Sequence, residues 1–480
     1  MIVNQWINNQ EVESAEYTEA RDPGRLTEVV GQVAKGTAED VDRAIVAAHR
    51  AFRSWSATDP QERMDLVRRA ADVLEAEKDA LAPLVAAENG MLLGRTLGEI
   101  ETAVSSMRNL AELAEHLFQE KFTQRLEDER ARVFIEQKPI GVVAGIIPWN
   151  APVVLAMQKL APAVLTGNTV VFKPSPFASI GVTVALQKVA QLFPPGVINV
   201  VLGDAIVGEA LTSHPLVRKI SFTGGGETAK AVMRTAAGTL KRVHFELGGN
   251  DPAILLDDAD LNKAVPRIVD AALRRSGQYC FAVKRVYVPE KVYDRVYDIV
   301  RECAGSYRIG HQLHAEATMG PLNNAGQFRR VKELIDRIRE SPARMVEVGE
   351  KLEPDQWENG YYLQPVVVRD VSPDAEIVTC EQFGPVIPLI PYRTEEEAIR
   401  MANDTEYGLG SSVWSENVER AIAVARRIES GLTFVNAHGP TRLGHKYVPF
   451  GGVKQSGIGW ENSEEVFREF LVYHSIDVHK

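Results

Sequence analysis

Cysteine is scarce in this chain. Cys280, Cys303 and Cys380 are the only three in 480 residues, they contain no CxxC pair, and an odd number cannot pair off evenly. Their spacing suggests neither a disulfide framework nor a cysteine-rich zinc cluster, so no metal is expected and a reducing compartment fits best. Long apolar runs are missing too. The most apolar stretch, GVVAGIIPWNAPVVLAM from Gly141 to Met157, is interrupted by Pro148 and Pro152. The opening MIVNQWINNQEVESAEY has neither the basic start nor the apolar core of a signal peptide. The chain therefore reads as cytoplasmic, with no membrane partner. Positive charge is also in short supply: a net charge of −11 leaves no basic footprint for nucleic acid. What remains is the composition of a globular protein, 45% hydrophobic and 25% charged, which argues against extended disorder. At roughly 150 residues per domain, the length suggests about two or three domains. The expected partner is a small molecule.

Periodicity organises the rest. From Ala38 to Asn89 apolar residues recur at three- and four-residue spacing, and a further helix is expected from Leu97 to Leu117. Between Gly141 and Leu247 strands and helices alternate: GVVAGIIP, a helix through APVVLAMQKLAPAVL, TVVFK, a helix through IGVTVALQKVAQLF, VINVVLG, RKISFTG and RVHFELGG. Alternation of this kind implies a parallel sheet covered by helices on both faces. It resumes after Asp251 with PAILL, a helix over LNKAVPRIVDAALRRSG and the strand AVKRVYVP, which predicts a second α/β unit. Two segments fit neither unit, Lys121 to Pro139 and the tail REFLVYHSIDVHK. Their partly alternating polarity suits strands that pair with each other or with another subunit.

The usual nucleotide signatures, GxGxxG after a strand and GxxxxGK[ST], are absent. After RKISF comes Thr223-Gly224-Gly225-Gly226 at the start of a helix, where free N–H groups and the helix dipole suit a phosphate, although a tight turn alone would also explain the glycines. Cys303, in YDIVRECAGSY, reads as a small buried hydrophobe. Cys280 differs, because Gly277 breaks the preceding helix and places it on a turn before a strand, where a side chain can face a cleft. A thiol there needs local assistance to become a ready nucleophile. Glu246 ends an apolar strand before a Gly-Gly turn and is either a solvated strand end or a tuned base. Asn150 offers an amide donor at the same, carboxyl, end of the sheet, or else an N-cap for the next helix.

Together these stretches resemble the NAD(P)-dependent aldehyde dehydrogenase superfamily. The likeness covers nearly the whole chain, with PWN at Pro148, KPS at Lys173, FTG at Phe222, ELGGN at Glu246, GQYC at Gly277, EQFGPV at Glu381 and PFGGVKQSGIG at Pro449 in the family's order. The resemblance implies an α/β fold of two Rossmann-like domains with parallel sheets and a small bridging β oligomerisation arm. Residues 1–120 and 140–248 would bind the dinucleotide, 249–447 would form the catalytic domain, and 121–139 with 465–480 would form the arm of a homodimer or homotetramer.

By motif, Cys280 would attack the aldehyde carbon to give a thiohemiacetal, Asn150 would stabilise the oxyanion, and Glu246 would activate water against the resulting thioester. The cofactor-binding residues would be Pro148, Trp149, Lys173, Ser175, Pro176, Phe222, Thr223, Gly224, Gly225, Leu247, Gly248, Glu381 and Phe383. NAD is the expected cofactor. NADP stays open, because Pro176 stands where many NAD-preferring members carry a glutamate that repels a 2′-phosphate. Gly225 replaces a frequent phosphate-contacting serine, and Trp460 a frequent arginine. The substrate pocket would include Ala151, Val154, Met157, Tyr279, Phe281 and His438, a lining that favours an apolar or aromatic aldehyde. A semialdehyde met by Arg442 or His438, and a CoA-acylating reaction, are alternatives within the family. Outside it stand a cysteine hydrolase using His244 or His438 and a binding protein on an enzyme fold.

Overall fold

A computed structural model describes residues 1–120, 123–439 and 446–480. Two large sheets dominate it. The first has eight strands, and its five central members are parallel, in the order Arg242–Glu246, Val217–Thr223, Val142–Ile147, Thr169–Pro174 and Ile198–Val200. Strands such as Thr169–Pro174 are buried along their whole length, as expected where helices cover both faces. The crossover helix Pro152–Leu165 opens with proline in its first turn, and Gly167, at φ +85°, turns the chain into the next strand. The long helix Pro60–Asn89 is bounded in the same way, by Asp59 accepting from Gln61 N and by left-handed Gly90.

The second sheet has seven strands: Arg344–Glu347, Val366–Arg369, Val386–Tyr392, Val283–Pro289, Asp251–Leu255, Gly410–Trp414 and Leu432–Val435. All neighbours are parallel except the antiparallel edge strand Arg344–Glu347. The two segments that fitted neither unit pair with each other: Leu471–His479 runs antiparallel to Ala131–Pro139, which pairs in turn with Thr123–Glu127. The tail strand begins only at Leu471, after a short Glu465–Arg468 helix.

Three features depart from the sequence reading. The helix expected over Leu97–Leu117 runs from Leu93 to Glu120. The first 37 residues, to which no element was assigned, form five strands, among them Tyr17–Asp22 and Arg25–Ala34. The short strand Gly457–Ile458 returns to the edge of the first sheet and pairs antiparallel with Arg242–Glu246, setting Gly457 opposite Glu246. Among the described residues no helix is long and apolar enough to cross a membrane.

Candidate active site

Because the five central strands are parallel, their carboxyl ends share one edge, the usual ligand crevice of such a sheet. Glu246, Thr223, Pro148-Trp149-Asn150 and Lys173-Pro174 lie there at or just beyond the strand ends. Cys280 reaches the same place from the second unit, on the turn before Val283–Pro289.

The turn is held by backbone geometry. Arg275, Ser276 and Gly277 all have positive φ, and a Cβ on Gly277 would meet Gly384 O at 2.0 Å, so only glycine fits there. Lys284, fully buried, donates to Gly277 O at 2.5 Å, and Gln278 Oε1 accepts from Asn323 N at 3.0 Å. Asn150 is tied to the turn through its amide, which donates to Gln278 O at 3.3 Å. It is not the helix cap: Ala151 holds that position without a side-chain bond. Glu99 supplies the missing acceptor, taking Val153 N at 2.8 Å and Val154 N at 3.3 Å, and it pairs with Arg275 at 3.4 Å, whose guanidinium donates to Asn150 O. Glu99 and Arg275 thus fix both ends of the Asn150 segment, a role invisible in sequence because the two lie 176 positions apart.

Cys280 is half-buried and free. Burial pushes its thiol up, with the carboxylates of Glu246, Glu381 and Asp251 adding to the effect, while a hydrogen bond from Phe281 N–H favours the thiolate. Glu246 is buried, and neither of its carboxylate oxygens has a hydrogen-bond partner among the described residues. Burial raises its pKa well above the ordinary carboxylate range, and the nearby Glu461 raises it further. Lys159 opposes this and is itself locked to Glu461 at 2.7 Å in a buried ion pair. A buried acid left unpartnered is the pattern of a functional group more often than of a structural one.

The residues expected to hold a dinucleotide include a buried lysine and a helix start without a side-chain cap. Lys173 is buried, its ammonium donates to Pro174 O at 3.2 Å, its sole hydrogen bond among the described residues, and burial brings its pKa down to about 8. The helix Gly226–Ala237 begins at Gly225 with no side-chain cap, and a Cβ on Gly225 or Gly226 would meet nothing within 4 Å. No side chain caps its first N–H groups among the described residues, as an anion site requires. Thr223 and Phe222 lead into this turn, and the Thr223 hydroxyl is buried without a partner. Glu381 accepts from Gly249 N at 3.2 Å and lies so near Gly248 that a Cβ there would be 2.2 Å from its Oε2. Burial raises Glu381 to about 7, with Lys284 and Arg330 opposing. Phe383 packs edge-on against Trp149 at 5.4 Å, and Leu247 N is bonded to Ser456 O at 3.0 Å. Ser175 accepts from Phe177 N at 3.3 Å, and Pro176 is exposed.

The expected pocket is gathered only in part. Tyr279 and Phe281 lie 4.1 Å apart and Phe281 lies 5.2 Å from Phe450, in an aromatic cluster with Leu409 and Phe434 that packs against Cys280. Leu409, Phe434 and Phe450 were missed, since nothing local in the sequence brings three distant segments together. Ala151 and Val154 are nearly covered, and Met157 is fully buried in the large core of the first unit, so the face of the helix carrying Met157 packs inward and does not line open space. His438 is likewise no wall. Its Nε2 faces Phe281 O at 2.8 Å and Asp251 Oδ2 at 3.6 Å. His244 bonds Ser221 at 3.2 Å, and burial holds it neutral. Neither histidine has a hydrogen bond to Cys280 among the described residues, so the hydrolase arrangement is not formed. Arg442 lies outside the described residues.

With the site defined, its kinship is plain. The aldehyde dehydrogenase family model matches residues 6–476, and the chain belongs to that family. It is 36% identical to a geranial dehydrogenase of Castellaniella defragrans over 98% of this chain and 97% of the relative. Two crystal structures of a betaine aldehyde dehydrogenase from Staphylococcus aureus, both with NAD+, superpose with a TM-score of 0.94 at 32% identity, covering 99% of this chain and 94% of theirs. The protein is accordingly an NAD(P)-dependent oxidoreductase that converts an aldehyde to its acid.

Proposed function

We propose that Cys280, Glu246 and Asn150 carry this oxidation and that the substrate is an apolar or aromatic aldehyde. The observation behind the proposal is the position of Cys280, packed against an aromatic cluster and electrostatically coupled to an unpartnered buried carboxylate. The Cys280 thiol gives its proton to solvent, its sulfur forms a bond to the carbonyl carbon, and the carbonyl π pair moves to oxygen. The Asn150 amide and the Cys280 N–H donate to that oxyanion. A dinucleotide held at the first sheet would supply the acceptor for the hydride on the same carbon. The enzyme is left as a thioester on Cys280. Glu246 takes a proton from water, the hydroxide adds to the thioester carbon, the C–S bond breaks, and the acid departs. Water as the acceptor accounts for a buried, raised carboxylate better than transfer to coenzyme A does.

The dinucleotide is assigned to the first sheet, with Lys173, Ser175 and Pro176 at the adenosine ribose, Phe222, Thr223, Gly224 and Gly225 at the pyrophosphate, and Pro148, Trp149, Leu247, Gly248, Glu381 and Phe383 around the nicotinamide half. The seven-stranded sheet is the catalytic unit and the three-stranded sheet the arm of a cytoplasmic homodimer or homotetramer. The substrate class draws support from the relative's name, since geranial is itself an apolar aldehyde. The test is the near-ultraviolet absorbance of reduced cofactor formed from aliphatic, aromatic, carboxylated and quaternary-ammonium aldehydes. Turnover led by the apolar or aromatic set is expected. A clear preference for a charged aldehyde would reject the assignment.

A further inference from the structure

Pro176 takes away the carboxylate that would bind the ribose hydroxyls of NAD, yet another acid, Asp204, caps the helix that the same lysine crosses. Lys173, at the end of the strand Thr169–Pro174, is only 7% exposed. Its stem crosses the helix Ala205–Ser213 at Gly208, where an added Cβ would lie 3.6 Å from the Lys173 Cε and 3.7 Å from its Cδ. Gly208 N donates to Asp204 O at 3.2 Å, so the helix cap lies one turn from that crossing, on the N-terminal side. Asp204 caps the helix by accepting from Ile206 N at 2.9 Å through Oδ1. Its side chain is exposed, and Oδ2 has no other partner among the described residues. The negative charge that offsets the desolvation of the Lys173 ammonium is that of Asp204, and the same charge reaches Lys35, which is itself paired to Glu16 at 2.9 Å.

A carboxylate next to a buried lysine at the carboxyl edge of a parallel sheet has a known use. It accepts from ribose hydroxyls and opposes a 2′-phosphate, which a lone cation there would attract. We propose that Asp204 is the specificity-determining acid of the cofactor site, replacing the carboxylate absent at Pro176 and making this chain prefer NAD over NADP. The role rests on the assignment of Lys173 to the adenosine ribose.

The test is equilibrium binding without aldehyde, read by titration calorimetry with NAD+ and then NADP+, on the wild-type protein and on Asp204→Asn. Asparagine retains an oxygen for Ile206 N, so the helix cap survives the change and only the charge is lost. The wild type is expected to bind NAD+ more tightly, and the variant to shift the ratio of the two dissociation constants toward NADP+ by about tenfold. Pro176→Glu in the Asp204→Asn background should restore the preference for NAD+. An unchanged ratio in Asp204→Asn would overturn the role of Asp204 and leave the cofactor assignment standing. Loss of NAD+ binding in Lys173→Met separates the two: if that variant binds both dinucleotides as the wild type does, the ribose assignment falls and the proposal falls with it.

Discussion

On the proposed mechanism, Glu246 and Asn150 are where single side chains decide the chemistry. Glu246 acts as a base only when ionised, and burial together with Glu461 raises its pKa, so turnover must rise with pH through that raised value. The acid limb of the deacylation rate is expected well above the ordinary glutamate pKa of about 4.3. A limb at that ordinary value, measured by stopped flow, would contradict the role. Asn150→Ala removes an oxyanion donor and should lower kcat by ~10²–10³-fold with a far smaller change in cofactor affinity. Loss of cofactor binding at unchanged kcat would instead make Asn150 a cofactor residue. Cys280 was legible in the sequence because its aromatic flanks and the helix-breaking Gly277 set it apart from Cys303. Met157 and His438 are both buried, which sequence order did not reveal because it does not tell which face of a helix, or which side of a loop, points inward. Glu99 and Arg275 were not legible at all, since their pairing exists only once two distant helices meet.

Among the elements, the parallel strands between residues 142 and 289 were readable from their apolar runs bounded by glycine and proline, whereas Val366–Arg369, Val386–Tyr392, Gly410–Trp414, Leu432–Val435 and the amino-terminal strands were not. Ile2–Val3, Gln5–Ile7 and Gln10–Val12 hold two or three residues each, too few for a period to appear; the first two are fixed by pairing with distant strands, and Gln10–Val12 by a local hairpin with Gln5–Ile7. One helix start carries a measurable signature. Glu88, buried, accepts from Ile180 N at 2.8 Å and Gly181 N at 2.6 Å, capping the helix Ile180–Ala190 from another element. Burial nonetheless raises its pKa from 4.5 to about 7. A raised carboxylate is protonated more readily in the folded state, so its contribution is fully present below the unfolded pKa and is lost as pH rises through the folded one. Over that window the wild type should lose about 3 kcal/mol relative to Glu88→Gln. Melting temperatures of the two proteins that run parallel between acid and neutral pH would show that Glu88 is not so tuned.

At the scale of the whole molecule, the proposed mechanism draws one site from both large sheets, and the sheet formed by Thr123–Glu127, Ala131–Pro139 and Leu471–His479 joins the first unit through Arg242, which donates to Leu471 O at 2.8 Å. Its outer strand, Leu471–His479, has a partner on one side only, and Tyr473, Ile476 and Val478 along it are exposed. An edge of this kind is a template for a further strand or sheet, which is the basis for assigning the arm to assembly. Deleting residues 473–480 spares the buried Phe470 and Leu471 and should reduce the mass seen in sedimentation velocity to that of a monomer. An unchanged mass would place the subunit interface elsewhere.

The central claim, an acyl group carried by Cys280 and released by Glu246, is tested most directly by intact-protein and peptide mass spectrometry of Glu246→Gln. The variant would be quenched shortly after mixing with NAD+ and an apolar aldehyde. The account predicts one acyl group on the peptide bearing Cys280, formed together with a burst of reduced cofactor and followed by slow turnover. A burst with no mass on Cys280, or full steady-state turnover by the variant, would contradict it.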